Sequence, residues 1–186
     1  MRKNLGAKEI LCPMPVLIIG TYDENGTPNA MTVAWGAISG KKEISLYIYD
    51  KHKTAANIVR AGAFTVAFAD VENIVACDYV GIVSGNNVPN KIANTGWHTI
   101  KSEFVNAPLF EEFPLALECK VLSYEKETCR LVGEIVIVCA DERILDENNK
   151  VDLEKFCPVA YDPMQLAYRK IGDVGGGAYS IGAKLT

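Results

Sequence analysis

Histidine is scarce in this chain: His52 and His98 are the only two in 186 residues. Neither stands in an HExxH motif or at ligand spacing from another His or Cys, so no metal-site signature is present. The six cysteines, Cys12, Cys77, Cys119, Cys129, Cys139 and Cys157, form no CxxC pair. They are too sparse for a disulfide scaffold and read as reduced thiols of a cytoplasmic protein. Cys119, Cys129 and Cys139 fall ten apart, and their plainer reading is as small buried hydrophobes. GxSxG and Walker A motifs are both missing. The glycine-rich stretch Gly172-Asp173-Val174-Gly175-Gly176-Gly177 holds no complete GxGxxG and bridges no strand to a helix. A basic excess is lacking too: 19 Lys+Arg against 23 Asp+Glu leave a net charge of −4, which argues against a general nucleic-acid binder. The first apolar run, residues 10–19, is broken by Pro13 and Pro15 and is too short for a membrane span or an export signal.

What is present is a globular composition, 49% apolar and 23% charged, of a size that suits one domain over residues 1–186. Strand patterns dominate. Residues 16–22 form a β-branched run that ends at the turn Asp23-Glu24-Asn25-Gly26, and residues 29–38 read as the return strand. Ala30, Thr32, Ala34 and Gly36 share one face by period-two alternation, which leaves room for something flat. Residues 43–49 alternate Ile44, Leu46 and Ile48 against Ser45, Tyr47 and Tyr49. A helix over residues 54–61, capped by Thr54 and ended by Gly62, precedes a strand at 63–69. Helical spacing follows at 71–83 and a short helix at 90–94. Two long strands, 115–125 and 129–141, close the pattern. The fold class expected is α+β dominated by β, an antiparallel barrel with a few peripheral helices.

Two segments carry candidate chemistry. Asn29-Ala30-Met31-Thr32-Val33-Ala34-Trp35 sets amide, hydroxyl and indole groups along one strand. It reads either as an ordinary core strand or as a wall on which a flat heterocycle stacks. Lys51-His52-Lys53-Thr54 leads into a helix start. It reads either as a solvated basic turn or as a phosphate seat of free amides, a hydroxyl and lysine charge.

Around these segments the sequence resembles the flavin reductase-like family of FMN-binding split β-barrels, with the flavoredoxin-like branch the nearer resemblance. The likeness runs through residues 15–21, 26–35, 53–58, 78–85, 90–96 and 132–136, in that order. It implies FMN as a non-covalent cofactor, a homodimer and a redox function, with no nucleic-acid or membrane partner. By position it implies that Asn29, Ala30, Met31, Thr32, Val33, Ala34 and Trp35 border the ring and that Lys53 and Thr54 hold the phosphate. Ser84 and Gly85 would approach the flavin. Lys91 and Thr95 would add polar contacts, Lys91 to the phosphate or the ring's anionic edge, and Leu46 to Tyr49 would line the cleft. Across a dimer, Tyr161 or Phe156 would reach the neighbour's flavin.

Reductases of this family often carry a His just before the Gly-Glu pair. Residues 127–134, Glu-Thr-Cys-Arg-Leu-Val-Gly-Glu, have none. That departure removes support for direct NAD(P)H oxidation and favours an electron carrier fed by a ferredoxin-type donor. The alternatives are an NAD(P)H:flavin oxidoreductase, a non-redox flavin- or haem-binding protein, and a thiol enzyme using Cys129 or Cys12. No catalytic residue is assigned.

Overall fold

The computed structural model describes residues 1–185. Strand β1 (Met14–Pro15) leads into β2 (Leu17–Tyr22), whose near-continuous apolar run is buried on both faces. At its end the Asp23 carboxylate accepts the amides of Asn25 and Thr27, each at 2.9 Å, and Gly26 takes φ +78°. This is the turn that Asn-Gly predicts, and it returns the chain as β3 (Pro28–Val33).

The expected single strand over 29–38 is in fact two. The chain breaks at Ala34-Trp35, and β4 (Gly36–Gly40) starts on a new line, followed by β5 (Glu43–Tyr47). Helix α1 (Lys53–Ala61) ends at Gly62, which takes φ +66° and donates to the Ile58 carbonyl. Then come β6 (Ala63–Phe68), α2 (Ile74–Ile82), the short pair β7 (Thr99–Lys101) and β8 (Pro108–Phe110), and the long strands β9 (Leu115–Glu125) and β10 (Arg130–Ala140). Helix α2 begins three residues later than its apolar spacing predicts, because the Asp70 carboxylate holds the preceding turn through Asn73. A four-residue helix α3 (Leu153–Phe156) and the hairpin β11 (Val159–Asp162) and β12 (Ala167–Lys170) follow.

Seven strands form one antiparallel sheet in the order β3-β2-β6-β9-β10-β5-β4. Its two edges, β3 and β4, are consecutive in sequence and joined only by Ala34 and Trp35. Flat strands spaced about 4.8 Å apart would put those edges almost 30 Å from each other. A two-residue link spans only about 10 Å. The sheet therefore curls until its edges meet, and it stays unpaired at that seam: a split barrel with Trp35 at the split.

The barrel interior holds Leu17, Ile19, Leu46, Phe64, Val66, Leu117 and Leu131, with Ala55 and Ile58 of α1 in the same cluster. Val16, just before β2, and Ile18 on its outer face pack with Ala30, Ala67, Cys77 and Val80 and with Trp97, Phe110 and Phe113. Helix α2 lies on this outer layer, hydrogen-bonded to β3 through the Thr32 hydroxyl and the Cys77 carbonyl. No helix among the described residues is long and apolar enough to cross a membrane.

Candidate functional site

A cleft of about 440 Å³ opens along the seam. Its floor is Met31 to Trp35, its sides are Tyr47, Tyr49 and His52, and its roof is Asp78, Gly81 and Ile82 of α2 with Tyr161, Leu166 and Tyr168 of the last hairpin. Trp35 is 44% exposed, which is unusual for a Trp unless something covers it. Its ring stands 6.3 Å from that of Tyr161, which in turn stands 6.3 Å from that of Tyr168. Tilted contacts at this distance join the three rings into one aromatic wall, a surface on which a flat, unsaturated ligand can lie.

A second, polar seat adjoins the cleft. Asn29 is buried, and its Nδ2 donates to Thr54 Oγ1 at 2.9 Å, so the two sequence-selected segments meet. Because Thr54 accepts this bond, its own O–H is left to donate. The Asn29 Oδ1 atom is buried with no hydrogen-bond partner. A Cβ on Gly85 would collide with that atom and would stand 3.3 Å from Lys53 Cβ, so the loop after α2 closes on this point only as glycine. At the start of α1, Ala55 and Ala56 turn their amides to the His52 carbonyl. The Lys53 and Thr54 amides keep no partner among the described residues.

Three chain segments run from the cleft into this seat. They are Met31–Trp35 back to Asn29, His52 on to Lys53 and Thr54, and Gly81–Ile82 on to Ser84 and Gly85. The cleft and the seat are thus two ends of one site.

One expectation is corrected, and the other expected residues take the following places. Thr54 does not cap α1, because His52 occupies that position and makes no side-chain cap bond. Ala30 is fully buried in the outer core and does not line the cleft, whereas Thr32 lines it although its hydroxyl is committed to α2. Val33 packs in the barrel interior and also lines the cleft. Lys53 shares its ammonium with Glu24 at 3.5 Å and Asp23 at 3.7 Å, so its charge is partly neutralised before any ligand arrives. Ser84 accepts from the Asn86 amide at 3.2 Å, within its own loop. Thr95 closes its local turn by donating to the Ile92 carbonyl and accepting from the Trp97 amide. Phe156 is buried edge-on against Phe68 and does not line the cleft, whereas Tyr161 lines the cleft of its own chain.

Lys91 is 2% exposed and donates to the carbonyls of Val80 and Val83 at 2.6 Å each, a cation at the C-terminal end of α2. Burial pulls its ammonium down to about 8. Burial, with the Lys91 charge behind it, also lowers the imidazole of His52, so that ring is neutral at pH 7. The residues that sequence reasoning left without a role are Asp78, Gly81, Ile82, Leu166 and Tyr168. Asp78 and Gly81 lie within a stretch that carried the family resemblance, but Leu166 and Tyr168 had no signal at all.

Comparison with known proteins agrees with this geometry. A family model described as flavin reductase like domain matches residues 10–167. The structure superposes on flavoredoxin of Desulfovibrio vulgaris (Miyazaki F) with a TM-score of 0.93 and 34% identity, over 98% of this chain and 100% of that one. Flavoredoxin from Methanosarcina acetivorans gives a TM-score of 0.88 and 26% identity over the whole of both chains. An FMN-binding domain of a flavin reductases-like enzyme from Shewanella baltica OS155 shares the fold, with a TM-score of 0.79 and 17% identity over 88% of each chain.

Proposed function

Because the chain belongs to the flavin reductase-like family, we propose that it is a redox protein that binds FMN non-covalently and passes electrons between partners. One observation carries this reading: an aromatic cleft is continuous, through three chain segments, with a helix N-terminus that bears unpaired amides and an orphaned buried acceptor. A planar ring suits the first part. Free amides and a hydroxyl donor suit a phosphate, and the Asn29 acceptor suits a hydroxyl on the chain between them. A ring, a polyol and a phosphate in that order describe FMN.

Bound FMN would supply reversible electron transfer, while the protein supplies binding, orientation and field. The Lys53 and Thr54 amides and the Thr54 hydroxyl hold the phosphate. Trp35 and Tyr161 fix the plane of the ring and exclude water. His52, kept neutral by its surroundings, offers one donor and one acceptor at the cleft wall. Lys91 sets a positive field behind α2.

The cleft lining contains Asp78 and no lysine or arginine. The phosphates of a pyridine nucleotide would meet no cation there. This supports exchange with a ferredoxin-type protein donor over NAD(P)H. In the same reading two chains pair as a homodimer at the seam, where Leu11, Trp35 and Tyr47 line a second, more apolar cleft of about 350 Å³. Sedimentation at twice the chain mass is expected; a monomer at micromolar concentration would remove that part.

Native mass spectrometry of the purified protein, followed by FMN titration of the stripped form, tests the cofactor. A flavin-sized adduct and saturable binding are expected. A haem adduct, or no binding at micromolar FMN, would overturn the reading. Thr54→Ala removes a donor to the phosphate and frees the Asn29 amide. It is expected to weaken FMN binding by about tenfold. Stopped-flow mixing with NADH, NADPH and a reduced ferredoxin then separates a carrier from a reductase.

A further inference from the structure

The β11–β12 hairpin belongs to a small sheet of its own and pairs with the rest of the chain only through the two-residue strand β1. Its root is tied to the residue after β6, where the Val159 amide donates to the Ala69 carbonyl at 3.0 Å. Within the hairpin, Asp162 accepts the amides of Met164 and Gln165 and the Arg169 guanidinium at 2.6 Å, so the unit is stiff in itself. Beyond its root and β1, one hydrogen bond joins it to the main body among the described residues. Tyr168 Oη donates to Asp78 Oδ1 of α2 at 2.7 Å.

That bond sits at the cleft, between Tyr161 and Leu166 on one side and Gly81 and Ile82 on the other. Asp78 stands on the same helix that leads into the Ser84–Gly85 loop at the polar seat. We propose that the Tyr168–Asp78 bond is the latch that holds the β11–β12 hairpin against α2, and that Tyr168 is a positioning residue for the bound flavin through the Tyr161 wall. Burial and the adjoining carboxylate raise the Tyr168 phenol above its ordinary value, so it stays a donor throughout the working range. Opening the latch would let a stiff hairpin swing on β1 and widen the cleft, and ligand exchange would follow the latch rather than the walls.

This proposal rests on the FMN reading, and its test separates the two. Tyr168→Phe, Asp78→Ala, Asp78→Asn and the double variant Tyr168→Phe/Asp78→Ala are loaded with FMN. Its release on dilution is followed by flavin fluorescence. Tyr168→Phe and Asp78→Ala are expected to release FMN about three- to tenfold faster, the yield of one hydrogen bond. Asp78→Asn keeps an acceptor for the phenol and should release FMN more slowly than Asp78→Ala. The double variant should be no faster than either single one, because both remove the same bond. A merely structural loss would not be rescued by Asp78→Asn. Native-like rates in all four variants would overturn the latch while leaving FMN binding in place. Failure of the unaltered protein to hold FMN would overturn both.

Discussion

Gly85→Val is expected to weaken FMN binding by about a hundredfold or more while the barrel still folds, a loss of about 3 kcal/mol in binding free energy. Gly85 is buried, and any Cβ there meets the Asn29 Oδ1 atom and crowds Lys53 Cβ at 3.3 Å. Its backbone is not in the left-handed region, so alanine or valine causes no dihedral strain and the effect is one of space. The valine pushes the Ser84–Gly85 loop off the start of α1 and turns the Asn29 amide away from Thr54. Three contacts to the ligand then fail together. Isothermal titration of stripped protein with FMN measures the loss, and urea melts measure the cost to the fold. The stability change should stay within about 1–3 kcal/mol, as for other overpacked sites. Gly85→Ala/Asn29→Ala restores room. It should regain stability and still bind FMN weakly, because the amide is gone. Native affinity in a folded Gly85→Val protein would mean that the phosphate seat lies elsewhere.

Most of the barrel could be read from the sequence because its strands announce themselves locally. The turn at Asp23–Gly26, the alternation in β5 and the boundaries of β9 and β10 all depend on residues within one strand or turn. The seam could not be read in this way. Residues 29–38 alternate well enough for one strand, and the break at Ala34-Trp35 arises only because β3 and β4 must sit on opposite edges of a closed sheet. Thr54 misled for a related reason. A Thr before a helical run is an ordinary cap locally, but the helix starts one residue before it, and its hydroxyl accepts from Asn29, 25 residues earlier. The cleft roof was hidden most deeply. Asp78 and Tyr168 are 90 residues apart, and nothing in either segment signals the other. Family resemblance supplied Asn29, Thr54 and Gly85 as a group. It did not supply the unpaired Oδ1 atom that explains why Gly85 is there.

A second large effect is expected in the barrel, at a pair that carries the family likeness but lies away from the cleft. Gly133, in the Gly-Glu pair of β10, faces Phe64 of β6; a Cβ built there would stand 2.7 Å from Phe64 Cε1. Phe64 is fully buried, with Ile19, Leu117 and Leu131 in the same cluster. The missing side chain at 133 is therefore the room that the phenyl ring fills, and the strand register bends there between Val132 and Gly133. Phe64→Ala should cost about 3–5 kcal/mol, through lost burial and the cavity left behind. Gly133→Val should cost about 1–3 kcal/mol or more, through overpacking against a ring that has nowhere to move. The two changes are complementary in volume. Phe64→Leu/Gly133→Ala should be less destabilised than the sum of its single variants by more than about 0.5 kcal/mol, since the residues touch. Urea unfolding of the unaltered protein, Phe64→Leu, Gly133→Ala and the double variant measures the coupling. Strict additivity would mean that the glycine serves the backbone bend rather than the ring.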